Sequence, residues 1–155
     1  MSKIHVFCSD VNRARALISA GQANVILLHP NLMFLENTDD IHPNALALVF
    51  VYRKYNALSY QNMINKLRQV YMEKNQYNVS IKTIIIALLP SNDEFSSDND
   101  SYNENEGKIY ADNNGFDYHE IPFSGRVMEN KFSSIIMNFY KEYREPFTVS
   151  IRDNN

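Results

Sequence analysis

The chain has 155 residues, 45% of them hydrophobic, and a formal net charge of −3, which suits one domain with one core. No run nears the roughly 18 apolar residues of a membrane helix, and the N-terminus lacks the basic-then-apolar pattern of a secretion signal. The single cysteine, Cys8, excludes an internal disulfide and a thiolate zinc site, so a soluble intracellular protein, cytoplasmic or nuclear, is expected.

In chain order, KIHVF (Lys3–Phe7) reads as a short apolar strand and VNRARALISAG as a helix of two to three turns that stops at Gly21. NVILLHPNLMFLEN then places two apolar runs on either side of His29-Pro30-Asn31, which predicts an antiparallel hairpin. ENTDDIHPN (Glu36–Asn44) has breakers and no periodicity, and is expected to be a loop. ALALVFVY (Ala45–Tyr52) is apolar throughout, as a central strand covered on both faces should be. Behind a Ser59 cap, Tyr60, Met63, Ile64, Leu67 and Tyr71 recur at helical spacing. IKTIIIALL (Ile81–Leu89) is the second fully apolar strand, and Pro90 ends it.

The segment from Ser91 to Glu106 carries six acidic residues and no basic one, leaving fifteen basic against twelve acidic residues elsewhere, a net +3. Such a tract buries little and repels itself, so it predicts a disordered acidic insert at 91–106. NEGKIYADNNG follows as a helix closed by Gly115, and FDYHEIPFS as a final strand. The last helix, Val127 to Tyr143, aligns Met128, Phe132, Ile135, Ile136, Phe139 and Tyr143 in one stripe. The whole predicts a three-layer α/β domain over residues 1–146, with a mixed, mostly parallel sheet of about six strands, helices on both faces and a tail at 147–155. Ligands of such folds bind at the carboxyl ends of parallel strands, here after Phe7, Tyr52 and Leu89. The basic residues are scattered with no aromatic interleaving, so a nucleic-acid partner is not expected.

The span NALALVFVYRKYNALSYQNMINKLRQV resembles the strand, loop and S-F/Y-x-N helix start at the centre of Ras- and Rab-like small GTPases. The span from Gly107 to Tyr143, with its G-x-x-Y/F-x-E strand and small-residue loop IPFSGR, is similar to the closing part of that fold. The resemblance implies a small-GTPase-like topology, yet the nucleotide motifs are replaced. A phosphate loop, G-x-x-x-x-G-K-S/T, wraps phosphates with backbone N–H groups, neutralises them with lysine and holds magnesium with a hydroxyl. Here Cys8 and Arg13 stand on the glycines, Ala14 on the lysine and Arg15 on the hydroxyl residue. ENTD (Glu36–Asp39) falls where D-x-x-G belongs, with no switch helix after it. Leu88, Leu89, Pro90 and Ser91 fall where the guanine-reading N-K-x-D belongs, and leucine cannot hydrogen-bond a guanine edge.

A retained scaffold without these motifs implies a pseudo-GTPase with no catalytic residues, cofactor, metal or small-molecule substrate, working as an interaction or scaffold subunit. The architecture resembles that of the centromere protein M family of kinetochores, through RKYNALSYQNMINKLRQV, and that of the GTPase-like domain of the alpha- and gamma-adaptin-binding protein family in trafficking. Position suggests Arg13, Phe34, Tyr52, Arg53 and Tyr55 as contacts for a protein partner, with core packing as the other reading for Phe34. Four further readings compete. An atypical GTP-binding regulator would use Arg13 and Arg15 in place of the lysine, and Cys8 with Ser9, Asp10 and a His119 base would form a nucleophile site. Asp39, Asp40 and His42 would hold a metal. A receiver domain would need an aspartate at His29.

Overall fold

The computed structural model describes residues 2–25, 29–74, 81–90, 105–123 and 125–153. Five strands, β1 (Ser2–Phe7), β2 (Leu32–Glu36), β3 (Ala45–Arg53), β4 (Lys82–Leu89) and β5 (Asp117–Pro122), form one sheet in the order β2-β1-β3-β4-β5. Every neighbouring pair is parallel. Four helices flank it: α1 (Val11–Asn24), α2 (Ala57–Lys74), α3 (Glu106–Asn114) and α4 (Gly125–Asp153). α1 and α4 bury Leu17, Met128, Phe132 and Ile136 against Val6, Val49 and Ile86 on one face. α2 and α3 bury Met63, Ile64, Leu67 and Ala111 against Phe7, Phe50 and Ile85 on the other. β3 and β4 lie inside both layers, which is why their sequences run apolar without alternation. Among the described residues no helix is long and apolar enough to cross a membrane.

Among the described residues the sheet is therefore five-stranded and wholly parallel, not six-stranded and mixed, because no strand precedes His29-Pro30-Asn31 to pair with Leu32–Glu36 there. Val25 closes α1 with helical dihedrals (φ −88°, ψ −42°), and its N–H donates to the Gly21 carbonyl at 2.7 Å. The His29 N–H donates in turn to the Val25 carbonyl at 2.9 Å; residues 26–28 lie outside the described residues. Only Leu32–Glu36 becomes a strand there, pairing with β1 from Leu32 beside Ser2 to Glu36 beside Val6. A four-residue apolar run does not distinguish helix from strand by periodicity, and Val25 caps the helix.

Other boundaries move for identifiable reasons. α1 passes through Gly21 because the glycine serves packing: a Cβ there would lie 2.8 Å from Phe34 Cζ and 3.0 Å from Phe132 Cε2. α2 is capped by Asn56, whose Oδ1 accepts from the Ser59 N–H at 2.8 Å; Ser59, expected as the cap, instead accepts from the Arg53 N–H at 2.8 Å. Gly115 closes α3 in the left-handed region (φ +70°), as expected. Of the acidic insert, residues 91–104 lie outside the described residues, while Asn105 and Glu106 already start α3. α4 continues to Asp153, so the tail expected at 147–155 is helical as far as it is described.

The β2–β3 connection, residues 37–44, has no helix and packs on the α2 side of β1. Ile41 is buried in that core layer. The fully buried His5 ring ties the loop down: the His42 N–H donates to His5 Nε2 at 3.1 Å, which leaves His5 Nδ1 to donate to Thr38 Oγ1 at 2.8 Å. Burial, with His42 nearby, lowers the His5 pKa to about 4, so the ring is neutral at pH 7.

Candidate functional site

All strands point the same way, so the exits of β1, β3, β4 and β5 and the N-termini of the helices meet at one end of the molecule. At the exit of β1 the start of α1 is filled by the chain's own groups. Asp10 caps α1: its Oδ1 accepts the Arg13 N–H at 3.2 Å, and its Oδ2 accepts Arg13 Nη1 in an ion pair. A carboxylate thus occupies the helix terminus, where the unsatisfied N–H groups attract an anion. Burial raises the Asp10 pKa, but the Arg13 hydrogen bonds and charge, with Arg53, outweigh it and hold the carboxyl below its ordinary range. The Arg13 guanidinium also lies 4.8 Å over the Phe123 ring, at the exit of β5.

Across from Asp10, Asn37 closes the corner from the end of β2. Its Oδ1 accepts the Cys8 N–H at 2.8 Å and its Nδ2 donates to the Cys8 carbonyl at 2.9 Å, so one amide satisfies both backbone groups of a buried residue. Asn37 does this from a left-handed backbone (φ +43°), which asparagine tolerates better than other side chains. The second such residue is Tyr55 (φ +68°), in the turn from β3 to α2. For a bulky side chain that conformation is strained by about 1–3 kcal/mol, and such strain gathers at functional loops. Beside it, Lys54 Nζ sits 5.5 Å over the Tyr55 ring and pairs with Glu120 Oε2, which also accepts from the Tyr118 hydroxyl at 2.8 Å. Burial pushes the Glu120 pKa up, and the hydrogen bonds from Lys54 and Tyr118 bring it below its ordinary value.

The residues singled out in the sequence divide accordingly. Cys8 and Arg13 do sit at the β1 exit, Ala14 is buried on the inner face of α1, and Arg15 is exposed with its Nε 3.6 Å from Glu36. Leu88 is core, Leu89 and Pro90 are half-buried, and Ser91 lies outside the described residues. Two suggested partner contacts are corrected: Phe34 packs on Phe132 and α1, and Tyr52 is fully buried under Gly107, where a Cβ would overlap its hydroxyl. Arg53 and Tyr55 are half-buried at the strand end.

Cys8 and His119 line different clefts, and burial pushes the Cys8 thiol up to about 11, so it is protonated and a poor nucleophile at pH 7. Asp39 and Asp40 point to solvent while His42 Nδ1 accepts the Asn44 N–H at 3.0 Å; among the described residues no group of three ligands gathers for a metal. The His29 ring packs 4.5 Å from Tyr140 on α4, away from any strand exit.

No known protein-family model matches the chain, and no curated protein matches it either. Function is therefore read from the site alone. Sequence reading missed Asn37, Lys54, Glu120 and Phe123, whose roles depend on contacts 29 and 66 residues apart along the chain and on a ring three strands away. The one local signal was an asparagine placed directly after a strand.

Proposed function

We propose that this chain is a catalytically inactive, small-GTPase-like domain that works by binding other proteins, as a subunit of a larger complex. One observation carries the reading: the corner where such a fold would hold phosphates is occupied by the Asp10 carboxylate and the Asn37 amide. A phosphate there would meet a carboxylate already bonded to the Arg13 N–H and guanidinium, and like charges at hydrogen-bond range repel. The loop 37–44 stands where the family carries its switch helix, which also supports the reading.

The same end of the molecule is the face for a protein partner. Four of the five large apolar residues exposed among the described residues, Val11, Leu58, Ile109 and Val127, fall in the first turns of α1, α2, α3 and α4. Parallel topology brings all four first turns to the strand exits, the end that also carries Arg53 and Tyr55. Exposed apolar residues gathered at one end suit protein contact.

The test is to purify the protein from its native cells, denature it and analyse the supernatant for nucleotide. The reading expects none in stoichiometric amount. GDP or GTP at one per chain would overturn it in favour of an atypical GTP binder.

A further inference from the structure

A cleft of about 280 Å³ opens between β1, β3 and α2, at the point where the strand order reverses and where open α/β sheets bind their ligands. The nearly buried Phe7, Val51 and Met63 form its apolar floor, while Ser9, Asn62 and Lys66 bring polar atoms. Its size lies at the bottom of the roughly 300–1,000 Å³ of small-molecule sites, so it admits a ligand well below a nucleotide in size.

Charge narrows the ligand further. Lys66 Nζ lies 5.3 Å above the Phe7 ring, and among the described residues no carboxylate comes within salt-bridge distance of it. Among the described residues that line the cleft, Lys66 is the one charged side chain. It thus gives the cleft a positive charge. The Asn37 amide, on the same wall, is already engaged with Cys8. The larger groove of about 520 Å³ between β5 and α4 sets Lys131 against Glu142 and a Lys82-bound Asp117, and selects no one ligand chemistry.

We propose that the cleft between β1, β3 and α2 binds a small organic carboxylate, with an aromatic or branched aliphatic body on Phe7, Val51 and Met63 and the carboxylate on Lys66 Nζ. The site shares the strand exits with the proposed protein face, and each stands or falls without the other.

Titrating isotope-labelled protein with benzoate and with benzyl alcohol, followed by amide NMR, tests the proposal. These probes share the ring and differ in charge. Shifts should centre on Ser9, Asn37, Asn62 and Lys66, with benzoate binding about tenfold more tightly, the effect of one charge-assisted hydrogen bond. Lys66→Gln should bring benzoate down to the affinity of benzyl alcohol while benzyl alcohol binding is kept, which also reports that the variant is folded. Shifts elsewhere, equal affinity of the two probes for the natural protein, or an unchanged benzoate preference in the variant would each overturn it.

Discussion

Replacing Asn37 by alanine should destabilise the fold by about 2–4 kcal/mol. The side chain satisfies the N–H and the carbonyl of Cys8, a residue 5% exposed, through bonds of 2.8 and 2.9 Å. A buried polar group left unpaired costs about 1–3 kcal/mol, and two are orphaned together, so their penalties do not simply add. Alanine at φ +43° costs about 1 kcal/mol more, having no side-chain bond to offset the left-handed backbone. Asn37→Gly loses the same bonds without that strain, and should be less harmful than alanine by about 1 kcal/mol. Urea unfolding followed by circular dichroism reads the change as a midpoint shift of about 1–2 M at constant slope. An alanine variant within about 0.5 kcal/mol of the natural protein would show that the amide does not hold the corner shut. A glycine variant equal to the natural protein would show the same.

Stability should fall between pH 6.5 and 4, because His5 is neutral in the fold down to about pH 4 whereas the unfolded chain takes up the proton from 6.5. Its pKa is lowered on folding, so its contribution is complete above 6.5 and decays as pH falls through that window, by about 3 kcal/mol in all. Urea midpoints that stay level from pH 7 to pH 4.5 would refute a neutral His5. Asp10 and Glu120, whose pKa values are depressed, add their losses only under more acid conditions, as pH falls through their folded values. Gly107→Ala should lower stability by about 2 kcal/mol or more, since its Cβ would overlap the hydroxyl of fully buried Tyr52; an unchanged thermal midpoint would mean that Tyr52 yields. Leu58→Asp, at a site 71% exposed, should leave stability within about 0.5 kcal/mol and reduce partner recovery from native cells, and undiminished recovery would remove that rim from the interface.

The strands that the core demands were legible: Ala45–Tyr52 and Ile81–Leu89 run apolar because layers cover them on both faces, and β3 and β4 match them within a residue. The aromatic stripes of α2 and α4 were legible for the same reason, since Met63, Leu67, Phe132 and Ile136 are all buried. What failed was local chemistry with two outcomes. Val25 belongs to a β-branched apolar run that suits strand or helix, and Pro30 with Asn31 makes a turn after either. Gly21 reads as a helix stop but serves a close approach of Phe34 and Phe132 that no neighbouring residue announces. The site was half legible: Arg13 was found by position and its partner Asp10 is local, three residues before it, but the Asn37 bridge and the Lys54–Glu120 pair depend on the finished fold.

Thermal melting with and without Mg·GTP tests the central claim most directly. At about 1 mM, a ligand of micromolar affinity adds about 4 kcal/mol, which raises Tm by about 8 °C or more in a domain of this size. A phosphate corner filled by Asp10 and Asn37 predicts a Tm unchanged to about 1 °C. A rise of several degrees that depends on the γ-phosphate and magnesium would contradict it.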